Sequence, residues 1–562
     1  MLWRIGDLVS PEHSRSPIPH IPGSLTSSWR VGHDRRGAAG GGVFDWRRVL
    51  IYTHRWLGIA GCLVFLVWFV SGIVMMYARM PRLTAEERLA RLPTLDLTHV
   101  AVSPADAARA IGVVPSRVRV GMLADRPVYR FDAAGRWSTV YADSGERLPP
   151  LTDDEALALV RRLVPEHAAS MRVVDRLDSP DQWTLDGGMP RFLPMHRVAL
   201  GDAEGTVAYT ADGLGDLVMK TNARGRFWGF TGAVLHWTYF TPFRMQREIW
   251  RYSIIYAALI GCVMCLSGLA IGIWRFSPSQ RFRLKRQPSH SPYAGLMWWH
   301  HYAGLIFGLF TFTWALSGAL SLTPWDWTPY TDPTETQQAA ARGGSLQLGL
   351  VDIASLRAVR VTLSNERPIK ELEILQFQGR PMAMAYRAPS LEEARLVKNP
   401  DITAQFSPQL ALDHRLAWLD DPSTTFNRLP SAAIDRVAAA AMPGVPVRES
   451  DWLDSYDAYY YDRYRSKPLP VLRVRYNDSD STWLYLDPHN GMVSMRQTTR
   501  TRVNRWLYNG LHSLDFPFLY YRRPVWDIVL VVLSLGGIGL SMTTMWPAIR
   551  RLRRHATRWV NS

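Results

Sequence analysis

The stretch Trp298–Trp325, WWHHYAGLIFGLFTFTWALSGALSLTPW, constrains this chain more than any other. A pair of histidines is followed by about 20 mostly apolar residues without a charge, enough for a helix to cross a bilayer core of about 30 Å. A second copy lies near the start of the chain. His54-Arg-Trp-Leu-Gly58 opens a run reaching Ser71-Gly72, and His300-His301-Tyr-Ala-Gly304 opens one reaching Ser317-Gly318. In both copies the first His lies 17 residues before the Ser and four before the Gly.

Two further apolar runs complete a set of four. The mean hydropathy of -0.10 averages over these runs and the ordinary globular sequence between them. The reading is an α-helical membrane protein: a four-helix transmembrane bundle from a tandem two-span repeat, with two extracytoplasmic α/β domains. Residues 1–44, rich in Pro, Gly, Ser and Arg, read as a disordered cytoplasmic tail holding His13, His20 and His33. The spans fall at 45–78, 251–275, 300–323 and 525–547. Residues 79–250 and 324–524 form the two domains, 276–299 a basic loop and 548–562 a basic tail. Strand-like pieces such as Val128–Phe131 and Pro470–Tyr476, and a helical piece at Asp153–Leu163, mark the domains as mixed α/β.

Charge sets the orientation. Eight Lys/Arg precede or adjoin the first span through Arg55, five lie in 275–299, and five follow Pro547. The positive-inside rule assigns all three to the cytoplasmic side, with both termini inside and both domains outside. The net charge of +16 is thereby explained by the membrane and not by nucleic acid. The 23 Trp and 22 Tyr, many beside the spans, fit aromatic belts at the lipid interface. Cys62, Cys262 and Cys265 all sit in apolar runs, so no disulfide framework is expected outside. Cys262-x-x-Cys265 is not followed by His and carries no c-type haem signature.

The repeat extends to a second kind of histidine. Arg226-Phe-Trp-Gly-Phe-Thr-Gly-Ala-Val-Leu-His236 parallels Arg502-Val-Asn-Arg-Trp-Leu-Tyr-Asn-Gly-Leu-His512, and a Trp follows each His by 14 positions, Trp250 and Trp526. Each unit is thus span, outer domain, Leu-His helix, span. Both units enter from the same side, which implies a pseudo-twofold axis along the membrane normal. That axis pairs His54 with His300 or His301, and His236 with His512. Two imidazoles facing across a bundle are the ligand set of a non-covalent b-type haem, giving two haems. Gly58, Gly61, Gly304, Gly308 and Gly232 supply room for a flat macrocycle. The competing reading is that these histidines are interfacial anchors preserved by duplication. Zinc lacks a third or fourth ligand near either pair.

These motifs, with Tyr141-Ala-Asp-Ser-Gly145 and Leu486-Asp-Pro-His-Asn-Gly491 before each Leu-His helix, resemble the PepSY-associated transmembrane helix family over most of residues 45–550. The resemblance implies a bacterial inner-membrane protein with periplasmic PepSY-like domains. One branch is similar to iron-regulated siderophore reductases. It implies haem ligands at His54, His236, His300 and His512, and a ferric siderophore or other ferric chelate as electron acceptor. No Gly-rich nucleotide fingerprint occurs, so the electron donor, a quinol or a cytoplasmic reductase, comes from elsewhere. The alternatives are a PepSY-type regulatory or scaffold protein that binds peptidases without haem, and a subunit of an iron-chelate uptake system. The Tyr-rich stretch at 456–464, and Trp325, Asp326 and Trp327, are candidates to line an outer site, though aromatic packing and belt roles account for them equally simply. His196, His414 and His489 read as surface residues.

Overall fold

The computed structural model describes residues 45–185, 188–364, 367–388, 415–462 and 467–560. The expected tail at 1–44 with its three histidines, His414, and Tyr464 of the Tyr-rich stretch lie outside the described residues.

Among the described residues, four helices are long and apolar enough to cross a membrane: Trp46–Tyr77, Arg247–Arg275, Leu296–Ser321 and Val525–Val560. The first matches its expected span to within one residue at each end, the second and third begin four residues earlier than expected, and the fourth runs on past 547. The third starts at Leu296, so Trp298 and both histidines are helical. The fourth continues through Pro547 into the Arg-rich segment, so Arg550 to Arg554 share a rigid element with the apolar run. Within the basic loop, Phe282–Leu284 and Gln287–Ser289 form a short hairpin.

The segments between the helices follow one plan, twice. In the first, the helix Pro104–Ala110 is capped by Ser103. It precedes β1 (Arg117–Leu123), β2 (Arg126–Ala133) and β3 (Arg136–Tyr141). Then comes the helix Asp153–Leu163, whose Thr152 and Glu155 form a reciprocal capping box. β4 (Arg172–Leu177), β5 (Met195–Ala199), β6 (Val207–Ala211) and β7 (Asp216–Thr221) follow as a four-stranded meander. With β8 and β9 in the basic-loop hairpin, the second segment follows the same plan with one more strand before its second helix. The helix Ile353–Leu363 precedes β10 (Ile369–Phe377), β11 (Arg380–Arg387), β12 (Arg415–Trp418) and β13 (Thr425–Phe426). The helix Ser431–Ala440 precedes the meander β14 (Val447–Leu453), β15 (Val471–Tyr476), β16 (Trp483–Leu486) and β17 (Val493–Gln497).

The strands do not respect a boundary between two domains. β1 pairs antiparallel with β10, in register Val118↔Ile374, Arg119↔Glu373 and Val120↔Leu372. The result is one seven-stranded sheet, β13-β12-β11-β10-β1-β2-β3. The first strand of each repeat is otherwise an unpaired edge, and joining the two edges satisfies both. Antiparallel pairing of equivalent strands is consistent with a twofold axis perpendicular to those strands between the repeats. One core spans the junction, with Val118, Val120, Tyr129, Phe131, Leu372, Ile374 and Ala383 at most 1% exposed.

A buried charge cluster crosses the same junction. Glu371 on β10 accepts from Arg88 and, at 3.3 Å, from Arg130 on β2, while Arg88 also pairs with Asp216 on β7. Burial by itself raises the Glu371 carboxyl, but the facing charge and hydrogen bonds of Arg88, with Arg130 and Arg119, outweigh it and hold the group at about 2.

Candidate functional site

Each expected histidine pair comes together. The His54 and His300 rings lie 6.1 Å apart between centroids, with planes 40° apart. The His236 and His512 rings lie 6.0 Å apart, at 75°. Nothing local in the sequence requires this, since the members of each pair are about 250 residues apart or more.

All four rings are held through Nδ1. His54 Nδ1 lies 2.9 Å from the Met264 carbonyl on the second long helix. His300 Nδ1 lies 3.3 Å from the Leu540 carbonyl and 3.2 Å from Thr543 Oγ1 on the fourth. His236 Nδ1 lies 3.1 Å from the Trp68 carbonyl and 3.2 Å from Ser71 Oγ. His512 Nδ1 lies 2.9 Å from Ser317 Oγ. Among the described residues, none of the four Nε2 atoms makes a hydrogen bond. A carbonyl on Nδ1 fixes the proton there and leaves the Nε2 lone pair exposed, the arrangement of metal-ligating histidines.

The spacing fits one metal ion between each pair. Two metal–nitrogen bonds of about 2.0 Å, with about 1.1 Å from each nitrogen to its ring centre, separate the centroids by about 6 Å. His54 and His300 also line a cavity of about 780 Å³, within the range of about 300–1,000 Å³ usual for cofactor and ligand sites. Among the described residues no group of three or more His, Cys, Asp or Glu side chains is placed to hold a metal ion. A metal ion placed between either pair would therefore have two imidazoles as its protein donors.

His301 belongs to neither pair. Its Nε2 lies 2.8 Å from the Gly272 carbonyl and its Nδ1 2.7 Å from Ser291 Oγ, so both nitrogens are engaged. It is buried and ties the end of the second long helix to the loop before the third, which leaves His300 as the partner of His54.

The repeated motifs around the histidines acquire specific jobs. Ser71-Gly72 and Ser317-Gly318 are the seats of His236 and His512. The hydroxyl meets Nδ1, and a Cβ at Gly72 would stand 3.4 Å from His236 Cε1. The repeated spacing to a Trp has a structural counterpart too. Trp250 Nε1 donates to the Trp237 carbonyl at 3.1 Å, and Trp526 Nε1 donates to the Ser513 carbonyl at 2.8 Å, each just past a histidine. Immediately before each histidine the backbone makes a π-helical turn, Phe230–Val234 and Trp506–Gly510, and just after it one residue, Thr238 or Leu514, turns left-handed. Such π turns concentrate at functional sites because they rotate the following side chains out of α-helical phase.

The glycines divide into two groups. Gly58, Gly304 and Gly308 line the cavity as the repeat suggests. Gly61 and Gly232 instead let helices approach: a Cβ at Gly232 would stand 3.0 Å from Val74. Gly268, which no motif marks, is the most confined of those around His54. A Cβ there would lie 2.5 Å from His54 Cε1. Cys262 and Cys265 pack with Phe65, Phe69 and Ala315 in the helix interior.

Other expected residues fall elsewhere. His196 is not a surface residue but 1% exposed. It sits on β5 with Nδ1 3.0 Å from Asp153, and Nε2 2.9 Å from the Leu151 carbonyl and 3.1 Å from Asp212. Alternation along β5 turns it inward, under the helix Asp153–Leu163. His489 is half-buried and bonded to Asp487 at 2.6 Å. In the Tyr-rich stretch, Tyr460 is fully buried and stacks on Tyr485 at 4.9 Å. Tyr459 and Tyr461 face the other way, onto Trp506 and Tyr520, and Tyr461 donates to Asp515 at 3.0 Å. The stretch therefore packs as aromatic core on one side and braces the His512 turn on the other. Asp326 receives Arg251 at 2.6 Å, while Arg251 also caps the Leu322 and Thr323 carbonyls at the end of the third helix. Trp325 is exposed.

Comparison with known proteins adds no identity: no family model matches the chain, and no curated protein matches it significantly.

Proposed function

We propose that this chain is a bacterial inner-membrane haem protein that carries electrons across the bilayer and reduces a ferric chelate, such as a ferric siderophore, on the outer face. The observation that carries this reading is the pair of histidine pairs, at 6.1 and 6.0 Å, each ring anchored through Nδ1 with Nε2 free. His54 and His300 would hold a haem b toward the cytoplasmic end of the bundle, and His236 and His512 a second toward the periplasm. Bound haem would supply a one-electron couple at each position, and donation to a hard-oxygen ferric chelate weakens the chelate's grip on iron.

The protein's own contribution is placement. Backbone carbonyls and Ser71, Ser317 and Thr543 hold the rings, and mostly apolar side chains line the cavity beside His54 and His300. In this reading the basic loop, the first helix's start and the Arg-rich end of the fourth helix face the cytoplasm. The twice-repeated helix-and-meander segments are then the periplasmic PepSY-like parts. Their shared plan of helix, antiparallel strands, helix and four-stranded meander, and the equivalent pairing of β1 with β10, support a tandem duplication. An iron-free scaffold or uptake role offers no reason for four histidines to be held by one edge and left free at the other.

The test is the absorption spectrum of detergent-purified protein, oxidised and dithionite-reduced, with pyridine haemochrome quantification. Two haems b per chain, falling to one on His54→Ala or His512→Ala, is the expected result, with ferric-chelate reduction as the following assay. A colourless, folded protein from haem-replete cells refutes the reading.

A further inference from the structure

The cavity beside His54 and His300 has one strongly cationic side. Arg55, one residue after His54, and Arg550, Arg551 and Arg554, from the end of the fourth helix, all line it. Most of the rest of the lining is apolar, with Ile51, Leu269, Met297 and Leu540 among it. Among the described residues no carboxylate pairs with any of these four arginines. Three of them rest on aromatic rings instead: Arg55 over Tyr52 at 5.2 Å, Arg550 over Trp546 at 4.8 Å and Arg551 over Trp56 at 5.9 Å. Arg551 is half-buried, and its Nε is buried without a hydrogen-bond partner. Elsewhere the chain does pair its arginines, as Arg126 with Asp143 and Arg197 with Asp175 show.

A cavity with an apolar body, two free imidazole nitrogens and four unpaired guanidinium groups at one side selects an amphipathic guest: a flat apolar plate with anionic arms along one edge. We infer that Arg55 and Arg551, assisted by Arg550 and Arg554, bind the two carboxylate arms of the macrocycle held by His54 and His300, and so fix which edge of it faces the arginine end. This rests on the haem reading above. Guanidinium forks match carboxylates with two parallel charge-assisted hydrogen bonds. Aromatic rings beneath the guanidiniums keep them extended toward the cavity at little cost, because a ring face tolerates a cation that a carboxylate then approaches from the other side.

The test separates this assignment from the reading beneath it. Apoprotein carrying His512→Ala, so that only the His54/His300 site remains, is titrated with ferric haem b and with its dimethyl ester, which keeps the plate and the iron but loses both charges. Binding is read from the Soret band. The expected result is haem binding about ten- to hundred-fold tighter than the diester, as a charge-assisted contact provides. Arg55→Gln with Arg551→Gln should abolish that preference and leave diester affinity unchanged. Equal affinity for haem and diester in protein with native arginines overturns the inference without any arginine variant. So does a preference that survives in the double variant, including the case where the variant alters only partition onto vesicles of anionic lipid, which would make the arginines membrane-surface charge. Failure to bind either molecule removes the haem reading itself, and this assignment with it.

Discussion

Gly268→Ala tests whether the position of the His54 ring is set by a single missing side chain. Gly268 lies on the second long helix, one turn beyond the Met264 carbonyl that holds His54 Nδ1. A Cβ there would stand 2.5 Å from His54 Cε1 and 2.8 Å from Nδ1, about 0.9 Å inside the 3.4 Å at which ordinary contact begins. The helix backbone cannot retreat by that much without opening its own hydrogen bonds, so the imidazole must move. Moving it breaks the bond to Met264, which costs about 1 kcal/mol, and the overpacking adds about 1–3 kcal/mol. At about 1.4 kcal/mol per decade, haem affinity at this site should fall about thirty- to a thousand-fold. The assay is haem content per chain by pyridine haemochrome, with the low-spin spectrum resolving one site from two.

The expected outcome is loss of one haem with the His236/His512 site intact, together with a lower thermal midpoint. Gly539→Ala is the control. It lies on the fourth long helix, and a Cβ there meets nothing within 4 Å. Replacing a helical Gly by Ala should be neutral or favourable by up to about 1 kcal/mol. Gly268→Ala protein with two haems and an unchanged midpoint would refute the reasoning, because the ring would then be free to sit elsewhere.

Three further outcomes follow from the same geometry. Ser317→Ala removes the 2.9 Å contact to His512 Nδ1 and should weaken the ring's seat by about 0.5–1.5 kcal/mol, seen as a shift in the midpoint potential of one haem and not the other. Trp526→Phe keeps the apolar ring but deletes the 2.8 Å bond to the Ser513 carbonyl; it should broaden the electron paramagnetic resonance signal of the His512 site while leaving the other signal unchanged. Glu371→Gln leaves Arg88 and Arg130 facing a neutral group and should destabilise the joined sheet by about 3–5 kcal/mol, measured by thermal denaturation. The same carboxylate gives a pH dependence. Held at about 2 when folded against 4.5 when free, its contribution of at most about 3 kcal/mol is fully present above pH 4.5 and is lost as pH falls toward 2. Melts of the native chain should therefore drop between pH 5 and pH 3 by more than those of Glu371→Gln.

Repetition made the four-helix arrangement and both histidine pairs readable in advance. A His at matched distance from a Ser-Gly in two apolar runs predicts equivalent positions, and a twofold relation then predicts that equivalent residues meet. What could not be read depends on contacts between distant segments. His301 sits beside His300 in sequence, and only the Gly272 carbonyl and Ser291 hydroxyl distinguish their roles. Gly268 belongs to no repeated motif, and its confinement by His54 exists only once the first and second long helices are packed. His196 shows the same limit: β5 turns it inward, but the acids that satisfy it come from a helix 43 residues earlier and from a turn beyond β6. The π turns before His236 and His512 leave no compositional mark, although the equal spacing from Arg226 and Arg502 to the histidines carried a hint that both turns are built alike.

The joined sheet and the paired histidines are two consequences of one relation. After each long helix that bears a cavity histidine, short helices lead the chain to the strand, β1 or β10, at which the two repeats meet. A twofold that pairs β1 antiparallel with β10 brings equivalent residues of the two halves together at the sheet. The same operation must bring His54 to His300 and His236 to His512, since each half carries its histidines at equivalent places. The sheet buries a large apolar core and the Glu371 cluster at the junction, so it can hold the two halves in register before anything is bound between the histidines. Breaking the β1–β10 pairing, for example with Leu372→Pro opposite Val120, should therefore separate both histidine pairs at once, whereas each histidine substitution affects only one pair. Loss of both haems from a chain whose four histidines are intact is the result this coupling requires. Retention of one full haem site in that variant would show that the helices set the histidine spacing without the sheet.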